Sequence, residues 1–418
     1  MLFRGLPLLT FIILIFFYVT GCDQFLAEDS PGTDRELPRE LSAQEMIVAE
    51  GSNSFAFDLL HMLREKENER SFFVSPLSIS LAFGMALNGA ESDTYEQMRD
   101  FFGYDGLTRD EINNAKRDLI ELLTTVDPAV IMNIANSVWY REGFSVKEEF
   151  LKNNRDFFDA EVRDLDFSDP SAPDIINGWI EEKTEGLIEE MIDQIGPDVV
   201  MYLINAIYFK GDWTVQFDPD ETRDAPFHLD NGETAEVQMM QGREEFRYYI
   251  GDEWTALDMW YGEAGFSFTA LMPTDDHVPL MELASGLTSD RFTSITNQLE
   301  KDTVNVFVPK FELDYEIQGF PDELKEMGLT LPFSGQADFS GITEQAPLAI
   351  SDVLHRAVIK LDEEGSEAAA VTVIGFVLTS AGGSSYKTIR LDRPFLFFIR
   401  ENSTNTILFM GAFTGITY

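Results

Sequence analysis

The chain has 418 residues with 44% apolar content, ample for a large core, and carries 30 basic against 74 acidic residues for a net charge of −44. That excess runs along the whole chain and is not gathered in one tail, which argues against nucleic-acid or anionic-membrane binding. It leaves a strong self-repulsion that salt would screen, as expected of a saline habitat or of a very soluble surface protein.

Arg4 is the only charge before Asp23, and an apolar run from Leu6 to Tyr18 ends in Val19-Thr20-Gly21-Cys22. A basic start, a short apolar stretch and a small-residue end predict an export signal over 1–21. The run is short for a spanning helix. The V-T-G-C ending resembles a bacterial lipobox, in which the cysteine receives lipid and becomes the new N-terminus. Cys22 is the only cysteine, so no disulfide can form within the chain, and lipidation (palmitate-type acylation) gives the residue a use. More than one acyl chain is what stable anchoring requires. The expectation is an exported protein, lipid-anchored to the cell envelope and facing the periplasm or the outside. Residues 22–41, acidic with Ser30-Pro31-Gly32 and Leu37-Pro38, read as a tether, and 42–418 as one domain with no internal repeat.

In that domain Phe55, Leu59, Met62 and Leu63 recur at helical spacing within 43–66. Ser71 to Val74 reads as a short strand. Ser75-Pro76 then opens a helix, with Ser as N-cap, Pro at the first position, and Ile79, Ala82, Phe83, Ala86 and Leu87 on the buried face. Further helices are predicted over 94–102, 109–124 and 172–185. Strands are predicted over 130–140, 199–209, 235–240, 255–260, 266–272, 304–312, 394–400 and 406–413. Helices dominate early and strands late, which is an α+β pattern and not an alternating one.

No enzyme motif stands out. G-x-S-x-G, H-E-x-x-H, Walker and G-x-G-x-x-G patterns are absent, and His61, His228, His277 and His355 lack metal-ligand spacing. No cofactor or metal is expected. The unusual segment is Glu363-Glu364-Gly365-Ser366-Glu367-Ala368-Ala369-Ala370-Val371-Thr372, between the strand-like runs 357–361 and 395–399. From Ser366 every second residue is small. A strand points every second side chain to one face, so this loop is suited to slide between strands already packed on a core.

The segment resembles the reactive-loop hinge of the serpins, the serine protease inhibitors. Other stretches carry the resemblance in order across the globule. They are Phe73-Val74-Ser75-Pro76-Leu77-Ser78-Ile79-Ser80, Gly89-Ala90 through Gln97-Met98, and Ile134-Ala135-Asn136-Ser137-Val138-Trp139. Leu203-Ile204-Asn205-Ala206-Ile207-Tyr208-Phe209-Lys210-Gly211-Asp212-Trp213 follows as the fullest match. Val308-Pro309-Lys310-Phe311, Ala337 to Gly341, His355-Arg356-Ala357 and Leu408 to Gly411 complete the set. The acidic stretch Asp314–Asp322, with Gly319-Phe320-Pro321, departs from the family pattern where a plain helix start is expected.

The resemblance implies an α+β serpin-like fold, with helices on a large, mostly antiparallel main sheet, smaller sheets, and an exposed reactive loop at about 363–390. It implies an inhibitor and not an enzyme. A serine (or cysteine) protease would attack the loop, and the acyl-enzyme would be carried along as the cut loop inserts as a new strand. Inserting about 14–15 residues at ~3.3 Å each moves the cut end by roughly 45–50 Å. Ser75, Asn205 and His355 match a buried polar cluster, the shutter, that latches two strands until a third arrives. Trp213 matches the tryptophan at the top of that opening, the breach, or is an ordinary core aromatic. Gly365 and Ser366, free of charge or proline, fit an active inhibitor.

The family's usual spacing places the reactive bond at Thr379–Ser380, with Leu378–Thr379 and Phe376–Val377 as alternative registers. No Lys or Arg lies between Leu361 and Tyr386, so an elastase-, chymotrypsin- or subtilisin-like target is expected in place of a trypsin-like one. The helix at 109–124 has only Arg109, Lys116 and Arg117 against several acids, so no heparin-like activator is expected, and the protein should be a monomer. The alternative is a non-inhibitory binding or carrier protein on the same scaffold.

Overall fold

A computed structural model describes residues 37–67, 69–366 and 386–415. The expected export signal, Cys22 and the expected reactive loop from Glu367 to Ser385, with the candidate bonds at Phe376, Leu378, Thr379 and Ser380, lie outside the described residues, as do Ala368, Ala369 and Ala370.

In chain order the first half holds α1 (Ala43–Glu67), β1 (Phe72–Val74), α2 (Pro76–Leu87), α3 (Ser92–Phe101), α4 (Arg109–Thr125), β2 (Val130–Arg141), α5 (Glu148–Phe158), β3 (Glu161–Leu165), α6 (Ala172–Lys183) and β4 (Met201–Asp212). Next come β5 (Arg223–His228), β6 (Thr234–Ile250), β7 (Trp254–Tyr261), β8 (Phe266–Pro273), α7 (Leu280–Ala284), α8 (Ser289–Thr296), β9 (Glu300–Pro309), β10 (Phe311–Glu316) and α9 (Phe320–Glu326). The chain ends in β11 (Arg356–Leu361), β12 (Gly365–Ser366), β13 (Lys387–Arg390), β14 (Phe395–Glu401) and β15 (Ile407–Phe413).

The main sheet has six strands in the order β10-β11-β12-β4-β2-β3, antiparallel except for β2 with β3. The other strands run as one nine-stranded sheet, joined through the long β6, which pairs with β5, β9 and β7 in turn. Between the sheets and under α1 and α2 lies the main core, rich in phenylalanine; Phe73, Phe397 and Phe409 stack there. The outer face of the main sheet carries α6, whose Ile176, Trp179 and Ile180 pack on Trp139, Ile204 and Ala206.

Local chemistry accounts for the element ends. Ser75 caps α2 by accepting from the Ser78 N–H, and Pro76 fills the first turn, where no N–H is needed. Thr108 and Glu111 form a capping box on α4. The one strand predicted over 304–312 is two strands in different sheets. Pro309 has no N–H to continue the ladder, and the chain crosses at Lys310 from β9 to β10. The atypical stretch around Gly319 still starts a helix: Gly319 takes the left-handed conformation (φ 69°), Phe320 is buried and Pro321 sits in the first turn of α9.

Candidate functional site

The site lies where β11 turns back toward β4. Asp362 shapes the turn. Its N–H donates to the Gly365 carbonyl (3.0 Å), while its Oδ1 accepts from the N–H groups of Glu364 (3.0 Å) and Gly365 (3.4 Å). Gly365 and Ser366 then enter the sheet as β12, opposite Asp212 and Gly211 of β4, with Ser366 also opposite Leu361 of β11. So the first two residues after the turn are already a central strand. A Cβ on Gly365 would lie 2.1 Å from the Gly211 carbonyl oxygen, so only glycine fits this entry.

Residues distant in sequence hold the turn. The Trp213 N–H donates to the Glu364 carbonyl (2.7 Å) and its indole Nε1 to the Asp362 carbonyl (2.8 Å). The indole stacks on Tyr261, with centroids 4.4 Å apart. The Tyr261 ring lies against Gly211, and its hydroxyl pairs with Ser366 Oγ at 2.5 Å. Burial pushes the Tyr261 phenol far above its ordinary value, which keeps it a neutral hydrogen-bonding group. Glu363, 7% exposed, accepts from Lys310 Nζ (2.8 Å) and Thr222 Oγ1 (2.7 Å), and its carbonyl accepts from the Phe217 N–H (2.9 Å). Burial alone would raise this carboxyl, but the Lys310 and Thr222 hydrogen bonds outweigh it and hold it below the usual range. Trp213 is thus a clamp on the turn as well as a core aromatic. Tyr261, Thr222 and Lys310 were missed by sequence reasoning; Lys310 stood in a quoted motif, but nothing in its spacing to Glu363 signals the pair.

Below Ser366 the strands part. Among the described residues no ladder joins β4 directly to β11, and only β12 bridges them. The two residues of β12 take the place of a direct ladder at the top, and lower down the Asn205 carbonyl of β4 accepts from Ser78 Oγ (3.2 Å). Two small cavities, of about 20 and 30 Å³, follow the gap from Ser366 down to Asn205 and His355. Leu187, Ile188 and Met191, from the segment after α6, line the gap, and Arg356 Nη1 donates to the Glu190 carbonyl (2.6 Å).

Ser75, Asn205 and His355 do converge there, all buried, but only two of them pair. The Ser75 N–H donates to His355 Nε2 (3.0 Å), so that nitrogen is an acceptor and the neutral ring carries its proton on Nδ1. Burial lowers this histidine from 6.5 to about 4. Ser75 Oγ donates to the Leu408 carbonyl (2.7 Å). Asn205 instead donates to Asn136 Oδ1 of β2 (2.8 Å), and its own Oδ1 has no partner among the described residues. Asn205 thus bonds toward β2 and His355 toward Ser75, with no hydrogen bond between Asn205 and His355 among the described residues.

The profile of the family Serpin (serine protease inhibitor) matches residues 50–416. Human neuroserpin is 33% identical over 365 residues, 85% of this chain and 88% of that protein. A serpin-like protein of Methanosarcina acetivorans is 33% identical over 383 residues, 90% of this chain and 88% of that one. Among solved structures, the thermophilic serpin tengpin in its native state superposes with a TM-score of 0.81 at 28% identity, covering 93% of this chain and 97% of that one. Thyroxine-binding globulin in complex with thyroxine gives 0.79 at 29% identity, covering 88% and 99%. The chain belongs to the serpin family and has the serpin fold, as its sequence motifs imply.

Proposed function

We propose that this protein is an inhibitory serpin that traps a serine (or cysteine) endopeptidase by loop cleavage and strand insertion. The single observation that carries this reading is the state of the hinge: Gly365 and Ser366 already lie between β11 and β4, above a parted pair of strands. Further insertion after cleavage needs no new opening at the top of the sheet. It would pair edges that otherwise lack a ladder, which supplies the driving force for a metastable native state. Shutter (Ser75, Asn205, His355) and breach (Trp213) are the roles we assign to those residues.

The bait from Ile374 to Thr379 suits an elastase-, chymotrypsin- or subtilisin-like enzyme, with cleavage at Thr379–Ser380. No polyanion activator is required in this account. Of the three cations on α4, Lys116 is buried against Ser80 and Tyr104, Arg109 pairs with Glu91, and Arg117 pairs with Asp118. On the sequence alone we assign export, lipid attachment at Cys22 and a monomeric state; Cys22→Ser should release the protein from the membrane fraction. The test of specificity is mass spectrometry of the C-terminal peptide released by elastase-, chymotrypsin-, subtilisin- and trypsin-type enzymes. A new N-terminus at Ser380, and no efficient trypsin inhibition, is expected. Inhibition confined to trypsin-type enzymes would contradict the assignment.

A carrier role is the second reading, favoured by the likeness to thyroxine-binding globulin. Its sign would be loop cleavage with neither a covalent complex nor a gain in heat stability.

A further inference from the structure

At the lower end of the gap a cavity of about 280 Å³ opens between α2, the start of β4 and the segment that leads into β11. Ile79, Ala82 and Phe83 of α2 and Leu203 of β4 give it an apolar lining. Asn205, 8% exposed, lines it as well, and its Oδ1 is an acceptor without a partner among the described residues. Asp198 and Asp352, both exposed, also border the cavity and make its rim acidic. Such a space approaches the size of small-molecule sites, which are mostly apolar with a few placed polar groups.

We propose that this cavity binds a small amphiphile with an apolar body and an N–H or O–H head group, neutral or cationic, whose head donates to Asn205 Oδ1. A carboxylate of the same length has no donor for Asn205 and would meet Asp198 and Asp352. The occupant would also regulate the sheet, a consequence that rests on the inhibitory reading. Continuing β12 in register from the Ser366–Gly211 pair brings Thr372 opposite Asn205. A ligand head at Asn205 therefore stops insertion about six residues past Ser366, too early to carry a protease across.

Isothermal titration of the full chain with decanamide, and with decanoate as the acceptor-only control, tests the site. Decanamide should bind one to one, and decanoate about tenfold or more weakly, the factor expected for one buried hydrogen bond. Ala82→Phe, which fills the cavity with an apolar ring, should weaken decanamide at least about tenfold. Equal binding of amide and carboxylate, undiminished binding by Ala82→Phe, or no binding up to the solubility of decanamide would each overturn the proposal. If Ala82→Phe does not fold, the amide-against-carboxylate comparison on the wild type decides. In a protease assay, decanamide should shift products from covalent complex to free cleaved chain. A chain that binds decanamide but forms no complex with any protease would keep the site and lose the inhibitory reading.

Discussion

Gly365 has no room for a side chain, and the residues around it respond to that constraint. Gly365→Ala places a methyl against the Gly211 carbonyl and should expel β12 from the sheet. Trp213, which clamps the turn, would then move toward water, and its fluorescence should shift to the red. An unchanged spectrum would mean the hinge does not depend on this contact. Ser366→Pro removes an N–H that an inserting strand needs and should convert the inhibitor to a substrate. His355 offers a pH test. Folded, it binds a proton only near 4, whereas the unfolded residue does so near 6.5. Above 6.5 neither state is protonated; between 6.5 and 4 the unfolded chain binds more protons, so acidification lowers stability, by up to roughly 3 kcal/mol. His355→Asn keeps an acceptor for the Ser75 N–H but does not titrate. The stability advantage of the wild type over this variant should shrink between about pH 7 and about pH 4.5. A constant difference would remove His355 from the pH response.

Among the elements, β12 matters most although it has two residues. Its two-sided pairing stands between β4 and β11 where the loop leaves the sheet. Cleavage between Ile374 and Ser380 should let β12 lengthen and pair those edges. The melting temperature should then rise by at least several degrees, since each kcal/mol of new strand is worth roughly 1–2 °C in a domain of this length. A cleaved chain that melts with the intact one would exclude insertion. Periodicity in the sequence was sufficient for α4 with its capping box and β4 with its apolar run, but it missed α5 and read only 235–240 of the long β6. It was insufficient for β3, β5, β13 and the short α7 and α8, because a few residues at an edge or surface carry no period. Of the site, the hinge and Trp213 were legible as motifs. Tyr261, Thr222 and Lys310 were not, because each reaches the hinge from a separate element and the contact exists only once both sheets have formed. The parted sheet was equally hidden: sequence gives strands, not the pairing that two residues of loop interrupt.

For the whole molecule, charge and metastability act together. A net charge of −44 destabilises any compact form through self-repulsion, and salt screens it. Raising KCl from about 0.05 M to about 1 M should lift the melting temperature by several degrees; an unchanged value would mean the carboxylates are spaced too widely to matter. Under the proposed trap, the cut loop becomes the missing strand between β4 and β11 and takes its protease with it. The measurement that tests this most directly is a denaturing gel of the protein mixed with an elastase-type serine protease, run beside Ser366→Pro. A denaturation-resistant band at the summed mass, present in the wild type and lost in the variant, is the expected result. Complete loop cleavage with no such band in the wild type would contradict the trap and leave a serpin fold put to carrier use.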